Sequence, residues 1–214
     1  MGKVKIKRND VWIDMTPMSD VMVLLLTFFM LTSTFTKSEP VKVTTPGSVS
    51  EIKVPETDVL NILVSPEGKI FMSMDKTTDL QSTLEEITAN NGISLTAEQV
   101  KKFKDDAMFG CPLDQLEDYL KLDKSDMAAA IKTMGIPTDS IEGADGKKGK
   151  SEFQQWVEAA KNSADLNGGR DLKIAIKADE KTPYKLVKLV MSELQDMEEN
   201  RYYLITSYKN LEDE

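Results

Sequence analysis

Histidine is absent from the 214 residues, and cysteine occurs once, at Cys111. Without histidine there is no zinc site of the usual kind and no triad or acid–base mechanism built on an imidazole. A single thiol excludes an internal disulfide framework and any cysteine-based metal cluster. Excess positive charge is also lacking: 27 lysines and arginines face 36 aspartates and glutamates, a net charge of −9. Nucleic-acid binding needs a concentrated basic surface and is not expected. Nothing forms a cofactor loop. Gly143-Ala-Asp-Gly-Lys-Lys-Gly149 lacks the Walker spacing, the following Ser or Thr and the preceding strand, so Glu142–Lys150 reads as a flexible loop. Asp165-Leu-Asn-Gly-Gly-Arg-Asp171 lacks calcium-loop spacing and its terminal glutamate. The expectation is a protein that is not an enzyme, with no organic cofactor and no metal.

What is present is one long apolar run. The chain as a whole is 40% hydrophobic and 29% charged with a mean hydropathy of −0.34, so a membrane part must be local. Met15–Thr36 supplies it, with Asp20 as its one ionisable residue. A buried core helix, a cleaved leader and an uncleaved anchor compete for residues 1–36. The run is long and apolar all round for a core helix. Leu31-Thr-Ser-Thr-Phe-Thr-Lys37 offers no Ala-x-Ala cleavage site. As a helix, 15–36 would be roughly 33 Å long, enough for a hydrocarbon core of about 30 Å. Lys3, Lys5, Lys7 and Arg8 precede it, which places residues 1–14 in the cytoplasm and 37–214 outside, the periplasm of a Gram-negative cell. Trp12 suits the interface.

Asp20 has two readings. It caps the helix among headgroups, or it sits in the apolar zone, where an aspartate costs about 2.5–3.5 kcal/mol and faces protein or a water path. Thr27 and Thr34 follow at seven-residue steps and share its face, drifting by about 20° per heptad. Their hydroxyls can equally bond to the preceding turn with no partner helix. On the second reading, burial favours the protonated carboxyl, which slides past apolar surface, whereas the ionised form needs a polar partner or water. The membrane potential supplies about 2.3 kcal/mol per charge per 100 mV to drive such a switch. One helix cannot enclose a proton path, so a multi-span partner is required.

The run Ile13–Thr32 resembles the ExbD/TolR family, whose pattern is Thr-Pro, two residues, Asp-Val-Met and a leucine-rich stretch: here Thr16, Pro17, Asp20, Val21 and Met22. The resemblance implies a single-span subunit of a proton-driven motor in the bacterial inner membrane. Asp20 would be the proton carrier and protons the coupling ion. Two copies would sit inside a pentamer of an ExbB/TolQ-like protein, with output to a TonB- or TolA-like partner. It does not separate energised outer-membrane transport from Tol-Pal-like envelope maintenance. A non-motor, membrane-anchored periplasmic binding protein stays open as an alternative.

Beyond the run the pattern is α+β. Residues 37–57 are a linker with three prolines; Val41–Val43 and Ile52–Val54 could pair at a sheet edge or stay a tether. Val59–Val64 and Lys69–Met72 flank the turn Ser65-Pro-Glu-Gly68 as a hairpin. Asp171–Lys177 alternates as a strand, a helix follows with Thr182 as cap and Pro183 first, and Tyr202–Thr206 is a last strand. These pieces, 58–90 and 169–214, resemble the family's small periplasmic α/β domain. Between them, 91–168 reads as a mostly helical inserted subdomain. It has a capping box at Thr96–Gln99, helices over 113–120, 126–134 and 151–164, and Phe153 and Trp156 as core. Cys111 reads as a packing residue.

Overall fold

The computed structural model describes residues 14–33, 39–48, 55, 57–138, 140–142 and 148–208. The chain divides into two compact units, 1–37 and 38–214. In the first, helix α1 runs Thr16–Thr32. Its start is written in the sequence: Pro17 falls in the first two helical positions, where its preset φ costs nothing, and the Asp14 carboxylate accepts the Thr16 N–H at 3.0 Å and the Thr16 hydroxyl at 2.5 Å. Seventeen residues make a helix of about 26 Å. No helix among the described residues is long and apolar enough to cross a membrane. The expected span of 15–36 is therefore not seen as one continuous helix; Ser33 is extended, and 34–36 lie outside the described residues.

The second unit contains β1 (Gly47–Ser48), β2 (Val59–Val64), β3 (Ile70–Met74), α2 (Thr77–Asn91), α3 (Ala97–Asp105), α4 (Leu116–Lys121), α5 (Lys124–Ala130), β4 (Ser140–Glu142), β5 (Lys148–Ser151), α6 (Glu152–Leu166), β6 (Lys173–Ala178), α7 (Tyr184–Asp196), β7 (Tyr202–Leu204) and β8 (Ser207–Tyr208). The fold is mixed α+β. A four-stranded sheet has the order β3-β2-β6-β7. β2 and β3 are antiparallel, with Ile62 opposite Met72, and β6 is parallel to both β2 and β7. The hairpin closes as expected: the Gly68 N–H donates to the Ser65 carbonyl at 2.9 Å, with Gly68 at φ 83°. β6 and β7 run parallel, so a crossover must join them, and α7 is that crossover.

Leu60, Ile62, Val64, Ile174 and Ile176 fall on one face of the paired strands and are buried. They belong to one core with Leu84 of α2, Trp156 of α6, and Val190 and Leu194 of α7. The stretch 91–168 shares that core and that unit. Its apolar residues explain why. On α6, Phe153, Trp156, Val157, Ala160 and Ala164 recur at helical spacing and are all buried. The alanines leave room for α2, and the Thr83 hydroxyl bonds the Ser163 hydroxyl across the contact at 3.1 Å. The same stretch also covers an edge of the sheet. Phe109 exchanges hydrogen bonds with Met72 at 2.7 and 2.8 Å, and the Ile136 N–H reaches the Ile70 carbonyl. A covered edge cannot template another strand.

Several local expectations change. β4 and β5 form a hairpin on the flanks of the segment read as a loop. The helix expected over 126–134 is α5, ending at Ala130. Pro183, not Thr182, is the cap of α7; the Thr182 hydroxyl instead donates to the Ser65 carbonyl at 3.1 Å, fastening the helix entry to the hairpin turn. In the linker, Val41 and Val43 pack against the core without entering a strand. The pairing segment is Gly47–Ser48, parallel to Ser207–Tyr208; Ile52–Val54 lie outside the described residues. The box at Thr96 and Gln99 is present as expected.

Candidate functional site

Helix α1 has no buried residue within its unit. Leucine, phenylalanine, methionine and valine side chains are exposed on every side; Met22 is 72% and Leu31 87% exposed. Each such side chain left in water forfeits about 1.5–3 kcal/mol of burial, so α1 is a surface that lipid or protein must cover. Asp20 lies one turn after Thr16, on the helix and exposed, its carboxylate without a hydrogen bond or ion pair among the described residues. It is the one ionisable residue in Thr16–Thr32. Val21 and Met22 follow it on the lipid- or protein-facing surface, both exposed.

The polar seam is only partly drawn. Thr27 lies nearly beneath Asp20 by helical spacing, but its hydroxyl donates to the Leu24 carbonyl at 2.9 Å. Thr32 does the same toward Phe28 at 2.8 Å. The threonine thus satisfies its proton within its own helix, and no partner is needed to explain it. Thr34 lies outside the described residues. Thr16 and Pro17 are accounted for by the helix start.

In the second unit the densest polar cluster ties the sheet to its helices. The Arg170 guanidinium donates to both oxygens of Asp79 at 2.9 Å and to Asp58 at 2.5 Å, and Lys76 shares Asp58 at 2.5 Å. Asn167 adds a bond to Asp79 at 3.1 Å. Lys76, with Arg170 beside it, holds the Asp58 carboxyl below the usual range. The segment weighed as a calcium loop is therefore the exit of α6: the Asp165 carbonyl accepts the Gly168 and Gly169 N–H groups, and Arg170 turns inward. Sequence reading missed this cluster because its members are far apart in the chain and carry no spacing signal.

A cavity of about 150 Å³ on the other sheet face is bordered by Glu39, Asn61, Phe71, Met108, Lys177 and Ile205. Glu39 approaches Lys177 at 3.8 Å across it. Burial pushes the Cys111 thiol up to about 12, aided by the charge of Glu152, which fits a packing role and not a nucleophile. Trp156 is enclosed by Phe103 and Phe109 at centroid distances of 6.0 and 4.7 Å. None of the described residues forms a cluster that could hold a metal ion.

No curated protein and no solved structure gives a significant match to the chain. The family described as "Biopolymer transport protein ExbD/TolR" matches residues 7–208, which takes in α1, Asp20 and every described element of the α+β unit, and the chain belongs to that family.

Proposed function

We propose that the chain is the single-span subunit of a proton-driven inner-membrane motor, with α1 as anchor and Asp20 as the proton-carrying group. The observation that carries this reading is a lone carboxylate, unpartnered among the described residues, on a helix that is otherwise apolar all round and lies inside the family match. Seventeen helical residues sit at the short end of what spans a bilayer, and a short helix is accommodated by local thinning or by oligomerising. The N-terminal basic residues favour a cytoplasmic N-terminus and a periplasmic 38–214.

In the mechanism, Asp20 takes up a proton from one side through a path lined by a multi-span ExbB/TolQ-like partner. Neutralised, it moves against apolar surface; on release to the other side the charge is drawn back to polar partners. The alternation rotates or shifts α1, and the second unit passes the work to a TonB-like protein for outer-membrane transport. No enzymatic step or cofactor enters. Asp20→Asn keeps the size and removes titration. In a strain deleted for this chain, that variant is expected to abolish TonB-dependent uptake while the protein still inserts and co-purifies with its partner. Normal uptake by Asp20→Asn refutes the mechanism. Loss of envelope integrity with intact uptake assigns the output to a TolA-like partner instead.

A further inference from the structure

Helix α7 turns one side inward and leaves the other without cover. Val190 and Leu194 enter the core, and Leu186 packs against Gly68. The outward side begins with Lys181 in the preceding turn and continues through Tyr184, Lys185, Lys188, Leu189 and Ser192, all exposed. Tyr184 is 72% and Leu189 43% exposed. In a chain that carries −9 overall, this strip holds three lysines and no carboxylate. None of the three is ion-paired among the described residues.

The fold gains nothing from this charge. A lysine on a helix is stabilised by an acid three or four positions away, and like charges at that spacing repel. No acidic residue stands three or four positions from Lys185 or Lys188, and the two are themselves three apart. The first turn of α7 has no acid either, so the lysines add to the positive end of the helix, where anions are preferred. An anionic surface outside the chain would offset that cost.

The composition of the strip names the surface. Lysines reach headgroup phosphates on long apolar stems, a tyrosine ring suits the headgroup level, and a leucine suits the acyl boundary. Such a surface is also within reach. Val41, which packs against the core of the α+β unit, is nine positions after Thr32, the last residue of α1. Nine residues span at most roughly 32 Å, so a bilayer that holds α1 is presented to the unit at high effective concentration.

We infer that the outward face of α7, with Lys181, Tyr184, Lys185, Lys188 and Leu189, docks on the anionic lipid surface of the membrane that holds α1. The inference rests on the reading of α1 as an anchor. Each lysine near an anionic surface raises the docked-to-free ratio about fivefold, and three raise it about a hundredfold. Carboxylates elsewhere in the chain are repelled by the same surface, which selects this face for contact. Lipid charge and salt then set how long the unit stays on the membrane.

The test uses the full chain reconstituted in vesicles of phosphatidylcholine with or without phosphatidylglycerol. Ser192→Cys carries a fluorophore on the same face, and Cys111 is buried and does not compete for it. Lipids bearing a quencher on the headgroup are expected to quench the label when phosphatidylglycerol is present and not in phosphatidylcholine alone, and high salt to reverse the quenching. Adding Lys181→Gln, Lys185→Gln and Lys188→Gln is expected to lower the docked-to-free ratio about a hundredfold at an unchanged melting midpoint. Lys→Arg at the same three positions retains docking. Equal quenching in both lipids, or quenching that survives the triple substitution to glutamine, overturns the proposal. So does quenching found in native membranes but not in protein-free lipid, which assigns the face to an acidic protein. A chain that alkaline carbonate strips from the vesicles overturns the anchor reading and this proposal with it; an anchored chain without quenching overturns the docking alone.

Discussion

Truncating Trp156 tests whether 91–168 and the sheet are one cooperative structure. The side chain is 1% exposed. It packs between Phe103 from α3 and Phe109 from the strap on the sheet edge. Replacement of a buried tryptophan by alanine removes burial and leaves a cavity, typically about 3–5 kcal/mol; lost ring contacts of about 0.5–1.5 kcal/mol each fall within that range. One term acts in the opposite direction. The indole N–H of Trp156 has no hydrogen-bond partner among the described residues, and a buried unsatisfied donor costs about 1–3 kcal/mol, which any substitution recovers. Trp156→Phe keeps much of the ring burial and removes the orphan N–H, so it should cost far less than Trp156→Ala. The assay is urea and thermal unfolding of the 38–214 unit followed by far-ultraviolet circular dichroism. With the recovered term set against the burial terms, the net loss reaches about 4 kcal/mol, so Trp156→Ala should lower the melting midpoint by up to roughly 16 °C at about 2–4 °C per kcal/mol for a chain of this size. It should do so in a single transition that takes the sheet with it. A biphasic melt, with the strands outlasting the helices, refutes the shared core.

Other perturbations follow from the same contacts. Gly110→Ala should destabilise strongly, because its new Cβ would lie 2.3 Å from Cδ1 of Phe71 and 3.1 Å from the Ile70 carbonyl; a chemical denaturation midpoint equal to the parent's would contradict the close approach at the edge. Burial pushes the Glu152 carboxyl up, against the Leu113 N–H that it accepts at 2.9 Å. A raised folded value means the protonated form is preferred in the fold, so that contribution is full at acid pH and lost as pH rises through it. Glu152→Gln should therefore gain on the parent at neutral pH and lose that advantage on acidification, read as the difference in melting midpoints. Asp58 behaves oppositely. Its carboxyl is held low by Lys76 and Arg170, so its contribution is present above the unfolded value and disappears as pH falls through the folded one. Asp58→Asn keeps the tolerance for the left-handed φ of 58° and should flatten the acid limb of the stability profile; an unchanged limb would show the cluster to be inert.

Local signals in the sequence were reliable where the cause was local. The turn at Ser65–Gly68 and the box at Thr96 and Gln99 each depend on a few adjacent residues. Asp20 was legible for the same reason: a charge inside an apolar run needs no alignment to be noticed. Its proton-carrying role is the proposal, resting on the family and on the helix around it. What the sequence concealed was long-range. Phe109 bridging Met72, and Arg170 drawing Asp58 and Asp79 together, join residues separated by tens of positions. The helical pattern of 91–168 was visible, but not that its apolar stripe would complete the core beneath β2 and β6. Thr182 misled because a hydroxyl before a helix usually caps it, and here a closer carbonyl on the hairpin turn took the bond.

The pairing of Gly47–Ser48 with Ser207–Tyr208 sets where tension would enter the α+β unit. The Thr44 N–H donates to the Asp179 carboxylate at 2.8 Å, and its carbonyl accepts the Glu180 N–H at 2.8 Å. Pro46 accepts the Ser207 N–H at 3.0 Å. A pull on the chain ahead of Glu39 is therefore delivered first to the end of β6 and to the strand after β7, not to Val59, where β2 begins. Those two points lie at one end of the sheet's parallel half, so the hairpin of β2 and β3 is spared until these few hydrogen bonds part. In the proposed motor the unit would act as a coupling with its weak link placed at its entrance.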